Sequence, residues 1–584
     1  MNRHARASLS LLLLAVVVGT VWVIWRDLQP PPADRRSEPV APQRGGTLVA
    51  TVRSEPRSFN RLVQRDIPAD LFSWLTLGRL VRINRASQEV EPWLAESWTT
   101  SDDGRIITLT LRDDVRWSDG APFSAADVIF SFETVYNPKA KAIQATVLTV
   151  NGQRLAVSSA DDRHVIVTFP STFGPGIRLL DGLPILPKHK LEASVAAGTF
   201  PQAWSADTPP SELAAVGPFM LSRYDAGERV IFDRNPQYWR RDDNGQPLPY
   251  LDRVILDIVP DQNAELVRLQ SGQADMFQQS LRAEDLAALR PLVADQRVEL
   301  LELGVSTDPD AFFFNLRPQY WANDPRGSWL PRGEFRRAIS HAVDREAFAE
   351  TVFLAAAVPI HGPITPGNRR WFWPDLPRDE FSRPRALAAL KSIGLENRDQ
   401  DEWLEDTQGT EARFNVLTFR GNTVLERSAA VVRDELKQIG VAMDVVPLEA
   451  GALHERMIAG KFEAIFFNFT SDLDPAMNQD FWLSSGSAHI WHMSQPVPAT
   501  DWERQMDALI RQQAATVDEG ERRRIFREVQ RLFAQHLPVI YFAAPRLYMG
   551  VSGRTGNLSP APTRPHLLWS ADTITVNGAA SHEP

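Results

Sequence analysis

An α/β fold with more than one lobe is what this sequence predicts, and three features carry the expectation. The chain has 584 residues, more than one hydrophobic core ordinarily serves, so two or three domains or lobes are expected. Residues 414–475 alternate strand and helix patterns, the signature of an open α/β sheet. Residues 91–133 read instead as a hairpin followed by a capped helix, which fits a smaller α+β part.

Taken from the N-terminus, Arg3, His4 and Arg6 precede a run without charged residues from Leu9 to Trp25, closed by Arg26 and Asp27. A basic start followed by a membrane-competent segment predicts export. Val21 to Trp25 are bulky and offer no small-x-small cleavage site, so residues 1–26 are expected to be retained as a signal anchor, with a cleaved signal peptide as the alternative. Residues 27–44 form a Pro-rich polar linker. No cysteine occurs, which excludes disulfides, thiolate metal sites, cysteine nucleophiles and a lipid on an N-terminal cysteine. The formal charge of −10 and the absence of a long basic tract argue against a nucleic-acid binder.

The globular part begins near Gly45, where GGTLVATV reads as a strand. Asp102, Asp103 and Gly104 mark a turn before a period-two run in which Ile107, Leu109 and Leu111 face one way. Ser124 with Asp127 three residues on signals a helix start, and that helix is expected to end at Asn137, before Pro138. A second hairpin turns at Asp161 and Asp162, with Val165, Val167 and Phe169 on one face. From Gly217 the pattern reads strand, strand and helix ending at Gly272, with Asp275 expected as a helix-exit or turn residue. FFFNL at 312–316 is a buried-strand candidate, and EFRRAISHAVDREAF has helical spacing with His341 packed within it.

Within 414–475 the order is strand, helix, strand, helix, strand, with Gly440 and Gly460 closing the helices. Ligands of open α/β sheets bind beyond the carboxyl ends of the strands, which selects the loops Arg420 to Thr423 and Thr470 to Pro475. Arg420 is a candidate partner for a ligand carboxylate, against the alternative of a solvated surface side chain. Trp482, together with His489, Trp491 and His492, suggests an aromatic wall. Two histidines three apart have no third ligand beside them, so no metal is expected.

Several stretches resemble the solute-binding proteins of ABC importers, family 5, the oligopeptide, dipeptide and nickel-binding type. PWLAESW, LRDDVRWSDG and PFSAADV carry the resemblance first, followed by Gly217–Phe219, Arg234–Trp239, Leu251–Val254, Gln270–Asp275 and the RRAIS helix. It covers nearly all of residues 45–570. It implies a periplasmic-binding-protein-like α/β fold: two large lobes with mixed sheets joined by a hinge, a smaller α+β accessory domain, and a ligand cleft between the lobes. On that pattern lobe I takes residues 45–80, 214–305 and 541–584, the accessory domain 81–213 and lobe II 306–540. The resemblance also implies an acidic residue a few positions beyond an aromatic, pairing with a ligand amino group. Asp472 and Phe469 occupy that arrangement, with Asp474 as the alternative acid or as a turn residue before Pro475.

The implied function is an extracytoplasmic receptor, a monomer without cofactor, that captures a peptide-like ligand and hands it to an ABC permease and ATPase. A retained N-terminal helix would tie it to the inner membrane on the periplasmic side. A sensory protein coupled to a membrane signalling partner is the alternative, and an envelope hydrolase a weaker one: there is no HExxH, G-x-S-x-G or P-loop. No catalytic residue is expected.

Overall fold

The structure is a computed structural model that describes residues 44–64, 66–145, 147–469 and 472–577. The expected export segment and all but the last residue of the linker lie outside the described residues, as do Thr470 and Ser471. Among the described residues, no helix is long and apolar enough to cross a membrane.

Two large sheets organise the described chain. The first places Thr47–Val52 near its centre, parallel to Arg253–Ile258 on one side and to Met276–Phe277 on the other. Antiparallel strands Phe219–Asp225 and Arg229–Arg234 extend one edge. On the other side come Ala543–Ser552 and Val298–Val305, from distant parts of the sequence. Leu48 and Ala50 are fully buried while Thr47 and Val49 are only half-buried, as a period-two pattern requires.

Asp275 does more than end a helix. The helix Gln262–Gln270 closes at Gly272 with φ +77°, and Asp275 then accepts a hydrogen bond from Val49 N at 2.9 Å. Its carboxylate takes a two-pronged contact from Arg554 Nε and Nη2, both 2.6 Å, while Nη2 also reaches Thr47 O at 3.0 Å. One 2 % exposed carboxylate thus clamps the first strand to the chain that returns near residue 554.

The smaller part is built on the antiparallel sheet Ala95–Thr100, Ile106–Leu111, His164–Thr168 and Ala156–Ser159. Ile107, Leu109, Leu111, Val165, Val167 and Phe169 are all fully buried on its inner face. The helix Ala125–Tyr136 begins with the reciprocal Ser124 and Asp127 capping box and stops at Asn137. This part shares one continuous apolar core with the first sheet, Leu109 and Val165 belonging to the same cluster as Leu48 and Phe219.

The second sheet has the order Ala442–Leu448, Arg413–Phe419, Ala464–Asn468, Asp310–Phe314, Val539–Tyr541. Arg413–Phe419 runs parallel to the strands on both sides of it, and Asp310–Phe314 antiparallel to Ala464–Asn468. Both faces are covered. Phe312 and Phe314 enter one core and Ala311 and Phe313 the other, which is why the FFF run is apolar without alternation. The EFRRAISHAVDREAF pattern is two helices rather than one, Gly333–Ala342 and Arg345–Phe353. Asp344 accepts from Glu346 N and Ala347 N at 3.0 and 3.2 Å, so it caps a new helix and breaks the old one. His341 is packed as expected, with Nδ1 2.7 Å from Glu380 O.

Because Asp275 is buried and Arg554 answers it in a fork, removing the cation leaves an uncompensated charge. Arg554→Met is expected to cost about 3 kcal/mol, read as a lowered urea midpoint with an unchanged m-value; an unchanged midpoint would show the clamp to be idle.

Candidate functional site

The parallel strands of the second sheet end together at Arg420, Glu449 and Phe469, the positions where such a sheet offers a site. A concavity of about 750 Å³ opens beside the last of them. Its walls include Phe467 and Phe469 from the strand end, His454 and Met457 from the helix Ala450–Ile458, and Arg317 and His492. Aromatic and thioether surfaces with a few polar groups suit a ligand of mixed character.

Phe469 is half-buried, its ring 5.0 Å from Phe481 and 6.2 Å from Phe313, and its N–H donates to Pro309 O at 3.3 Å. The strand end is therefore anchored on one side and open on the other. Asp472 follows within three residues and is exposed. Of these two expected residues Phe469 lines the concavity, and Asp472 is not among the residues that line it. Arg420 is exposed at the neighbouring strand end, where Nη2 donates to Pro447 O at 3.3 Å and Nη1 lies 3.7 Å from Glu449. It is not among the residues that line the concavity.

The other three expected residues belong to the scaffold. Asp474 is 2 % exposed, caps the turn Pro475–Met477 and accepts from Arg522 Nη2 and Nη1 at 2.6 and 3.1 Å. Trp482 and Trp491 are 1 % and 0 % exposed. Their rings stack edge-on against Phe481 and Phe533, inside the second of the two sheet cores. They hold the rim from beneath rather than presenting a wall. His489 is likewise fully buried, 3.3 Å from Glu503. Burial works against ionisation of Glu503, but hydrogen bonds from His489, Thr500 and Gln495 outweigh it and hold the carboxyl down to about 2. Of the proposed aromatic group only His492 reaches the concavity.

Sequence reading missed His454, Met457 and Arg317, because the helix and loop that carry them become neighbours only through the sheet order. It also missed Asp310. This residue opens the strand Asp310–Phe314 directly opposite Asn468, which itself lines the concavity. Asp310 is 8 % exposed, its Oδ2 has no hydrogen-bond partner, and burial pushes its carboxyl up to about 7. Among the described residues, no group of three or more His, Cys, Asp or Glu side chains is arranged to hold a metal ion.

A lobed α/β scaffold with a ligand-sized hollow at the strand ends has the architecture of a binding protein. The sequence profile of bacterial extracellular solute-binding proteins, family 5 (middle region), matches residues 89–489, more than half of the chain, and the chain belongs to that family. A probable ABC transporter-binding protein of Deinococcus radiodurans is 25 % identical over 93 % of this chain and 94 % of its own length. The oligopeptide-binding protein AppA of Bacillus subtilis is 24 % identical over 87 % of this chain and 88 % of its own. The fold of AppA, solved with a nonapeptide, matches with a TM-score of 0.68 at 22 % identity, covering 92 % of this chain and all of the other. The binding protein MelB of Agrobacterium fabrum, solved with stachyose, matches with a TM-score of 0.70 at 21 % identity, over 93 % of this chain and 86 % of the other. These structural matches establish the periplasmic-binding-protein fold. The proteins named in the comparisons are binding proteins, and the family is extracytoplasmic.

Asp310 gives a pH signature. Its folded-state value lies above the ordinary carboxylate range, so it stabilises the fold relative to an ionised group only below pH about 4, and that contribution is lost as pH rises through 7. Asp310→Asn is therefore expected to stabilise the protein by up to about 4 kcal/mol at pH 8 and by nearly nothing at pH 4, measured by urea unfolding at both pH values. A gain that is equal at the two pH values would contradict the assignment.

Proposed function

We propose that this chain is the extracytoplasmic receptor of an ABC importer, holding a peptide-like ligand at the rim formed by Phe469 and Asp472 and presenting it to a permease and ATPase. The observation that carries the reading is a hollow of about 750 Å³ at the end of a strand of the second sheet, lined by Phe469, with the exposed Asp472 three residues further along the chain. An ammonium group set against a carboxylate gains a charge-assisted hydrogen bond, while the aromatic floor takes apolar atoms with little side-chain selection. AppA, whose name assigns it oligopeptides, supports a ligand of the same class here.

In this reading lobe I comprises residues 45–80, 214–305 and 541–584, lobe II residues 306–540, and the accessory domain residues 81–213. A ligand that touches both lobes binds the closed arrangement better and shifts the population toward it, which gives the permease a state to recognise. Phe469 supplies ring surface at the rim and Asp472 reads the amino end. Residues 1–26 remain attached as a membrane anchor and residues 27–44 act as the tether, so that the receptor stays near its permease without a lipid.

Asp472→Asn is expected to weaken binding of peptides with a free amino terminus at least tenfold, by calorimetry, while leaving N-acetylated peptides and the melting temperature unchanged. Equal affinity of the variant for free peptides would remove Asp472 from the site. Mass spectrometry of material co-purified with the full-length chain identifies the cargo directly; recovery of a sugar in place of peptide would overturn the ligand class. Carbonate washing of cell membranes is expected to leave the full-length chain in the pellet, whereas release of a protein shortened at its N-terminus would show cleavage.

A further inference from the structure

The smaller part and the second lobe meet along a polar seam. Gln88 Nε2 donates to Gly367 O at 2.6 Å, Arg370 Nη1 reaches Glu89 at 3.0 Å, and Gly174 N donates to Ala514 O at 2.6 Å. The loop that carries Asp472 joins the same seam, since Asn368 Nδ2 donates to Leu473 O at 2.8 Å. Arg178, from the short 3₁₀ segment Gly176–Gly182, sits inside it, 5 % exposed, with Nε and Nη1 buried and without a hydrogen-bond partner.

A guanidinium is costly to bury unless it is paired and hydrogen-bonded. The acids that act electrostatically on Arg178 are Asp474, Glu89 and Asp181, and each has another partner. Asp474 is forked by Arg522, Glu89 is paired with Arg370, and Asp181 takes Arg85 at 2.9 Å and Ile83 N at 2.8 Å. Arg370 is also paired with Glu519. The seam has further open valences of the kind a polar ligand uses: Arg370 Nε, Gln88 Oε1 and Asn368 Oδ1 are buried and unpartnered. Burial and the neighbouring Arg370 pull the Arg178 guanidinium down to about 10, so it stays cationic at neutral pH.

We propose that Arg178 is an anion-binding residue of the receptor, reserved for a carboxylate of the bound ligand. The planar N–H fork matches a carboxylate in two parallel hydrogen bonds. Resting on the peptide reading above, the placement also sets ligand length. Asp474, which Arg178 feels, is two residues from Asp472, so their Cα atoms lie within about 7 Å of each other. A ligand with its amino end at Asp472 and its carboxylate at Arg178 is a short zwitterion, a di- or tripeptide, and its carboxylate would bridge the two sides of the seam.

The test uses the full-length chain with two probes: an equimolar pool of di- and tripeptides with free carboxyl ends, and the same pool amidated. Calorimetry is expected to give at least tenfold tighter binding of the free-acid pool, and Arg178→Met is expected to abolish that preference. The ligand-free Arg178→Met protein should melt at or above the wild-type temperature, whereas Arg522→Met, which strands the buried Asp474, should melt lower. Equal binding of both pools by the wild type, or a preference that survives in Arg178→Met, overturns the assignment while leaving the peptide receptor standing. A ligand-free Arg178→Met protein as destabilised as Arg522→Met overturns it in favour of a structural cation. Binding of neither pool overturns this assignment, and a pool of longer peptides that also fails to bind overturns the peptide reading with it.

Discussion

Two crossings of the chain between the large sheets, held side by side, are the constraint on which the rest of the structure depends. The chain leaves the first sheet at Val305 and enters the second at Asp310; it leaves the second at Tyr541 and re-enters the first at Ala543. Ser306 N donates to Pro545 O at 2.8 Å and Thr365 Oγ1 donates to Ser306 O at 2.5 Å, while Ala357–Pro359 pairs with Ala543–Pro545. A connection of two short adjacent segments permits rotation of one lobe against the other and resists sliding, which is the mechanical requirement of a hinge. It also fixes where the ends of the second sheet fall. Asp310, the first residue after the outward crossing, lies opposite Asn468, so the hinge and the candidate site share a strand pair.

The elements governed by local periodicity were legible in the sequence. Both hairpins of the smaller sheet, the Ser124 cap and the strand-helix alternation of 413–468 follow from period two, period 3.6 and turn residues, and each is found in the structure. The split at Asp344 was hidden because apolar spacing continues across it; the capping carboxylate was the overlooked signal. Sheet order was not legible in any local pattern. Nothing local in LYMGVS announces that it returns to a sheet begun some 490 residues earlier, or that Arg554 will close on Asp275.

The site was legible in part, for a related reason. Strand ends of an α/β unit point to loops, and Phe469, at one such end, does line the hollow. Aromatic abundance misled, because a tryptophan in a core and one in a cleft look alike in sequence. Trp482 and Trp491 support Phe481, which in turn meets Phe469 at 5.0 Å, so their influence on the rim passes through packing rather than contact. His454 and Met457 lie on a helix whose pattern marks only one face as buried, and the open face is the one that lines the hollow.

Buried charge divides into two kinds in this protein, and the division separates scaffold from site. Asp275 with Arg554 and Asp474 with Arg522 are both forked and closed, each holding distant segments in one register. Asp310 and Arg178 are buried to a similar degree, yet each keeps polar atoms without partners, one beside the strand-end hollow and the other in the seam that the Asp472 loop joins. A chain selected for stability alone would pair such groups or replace them with apolar side chains of similar volume. In the receptor reading proposed above, each is a group that a polar end of the ligand would answer. Unpaired charge of this sort costs stability in the empty protein and is compensated only when a complementary group binds. The same free energy that weakens the empty fold then becomes the selectivity of the loaded one.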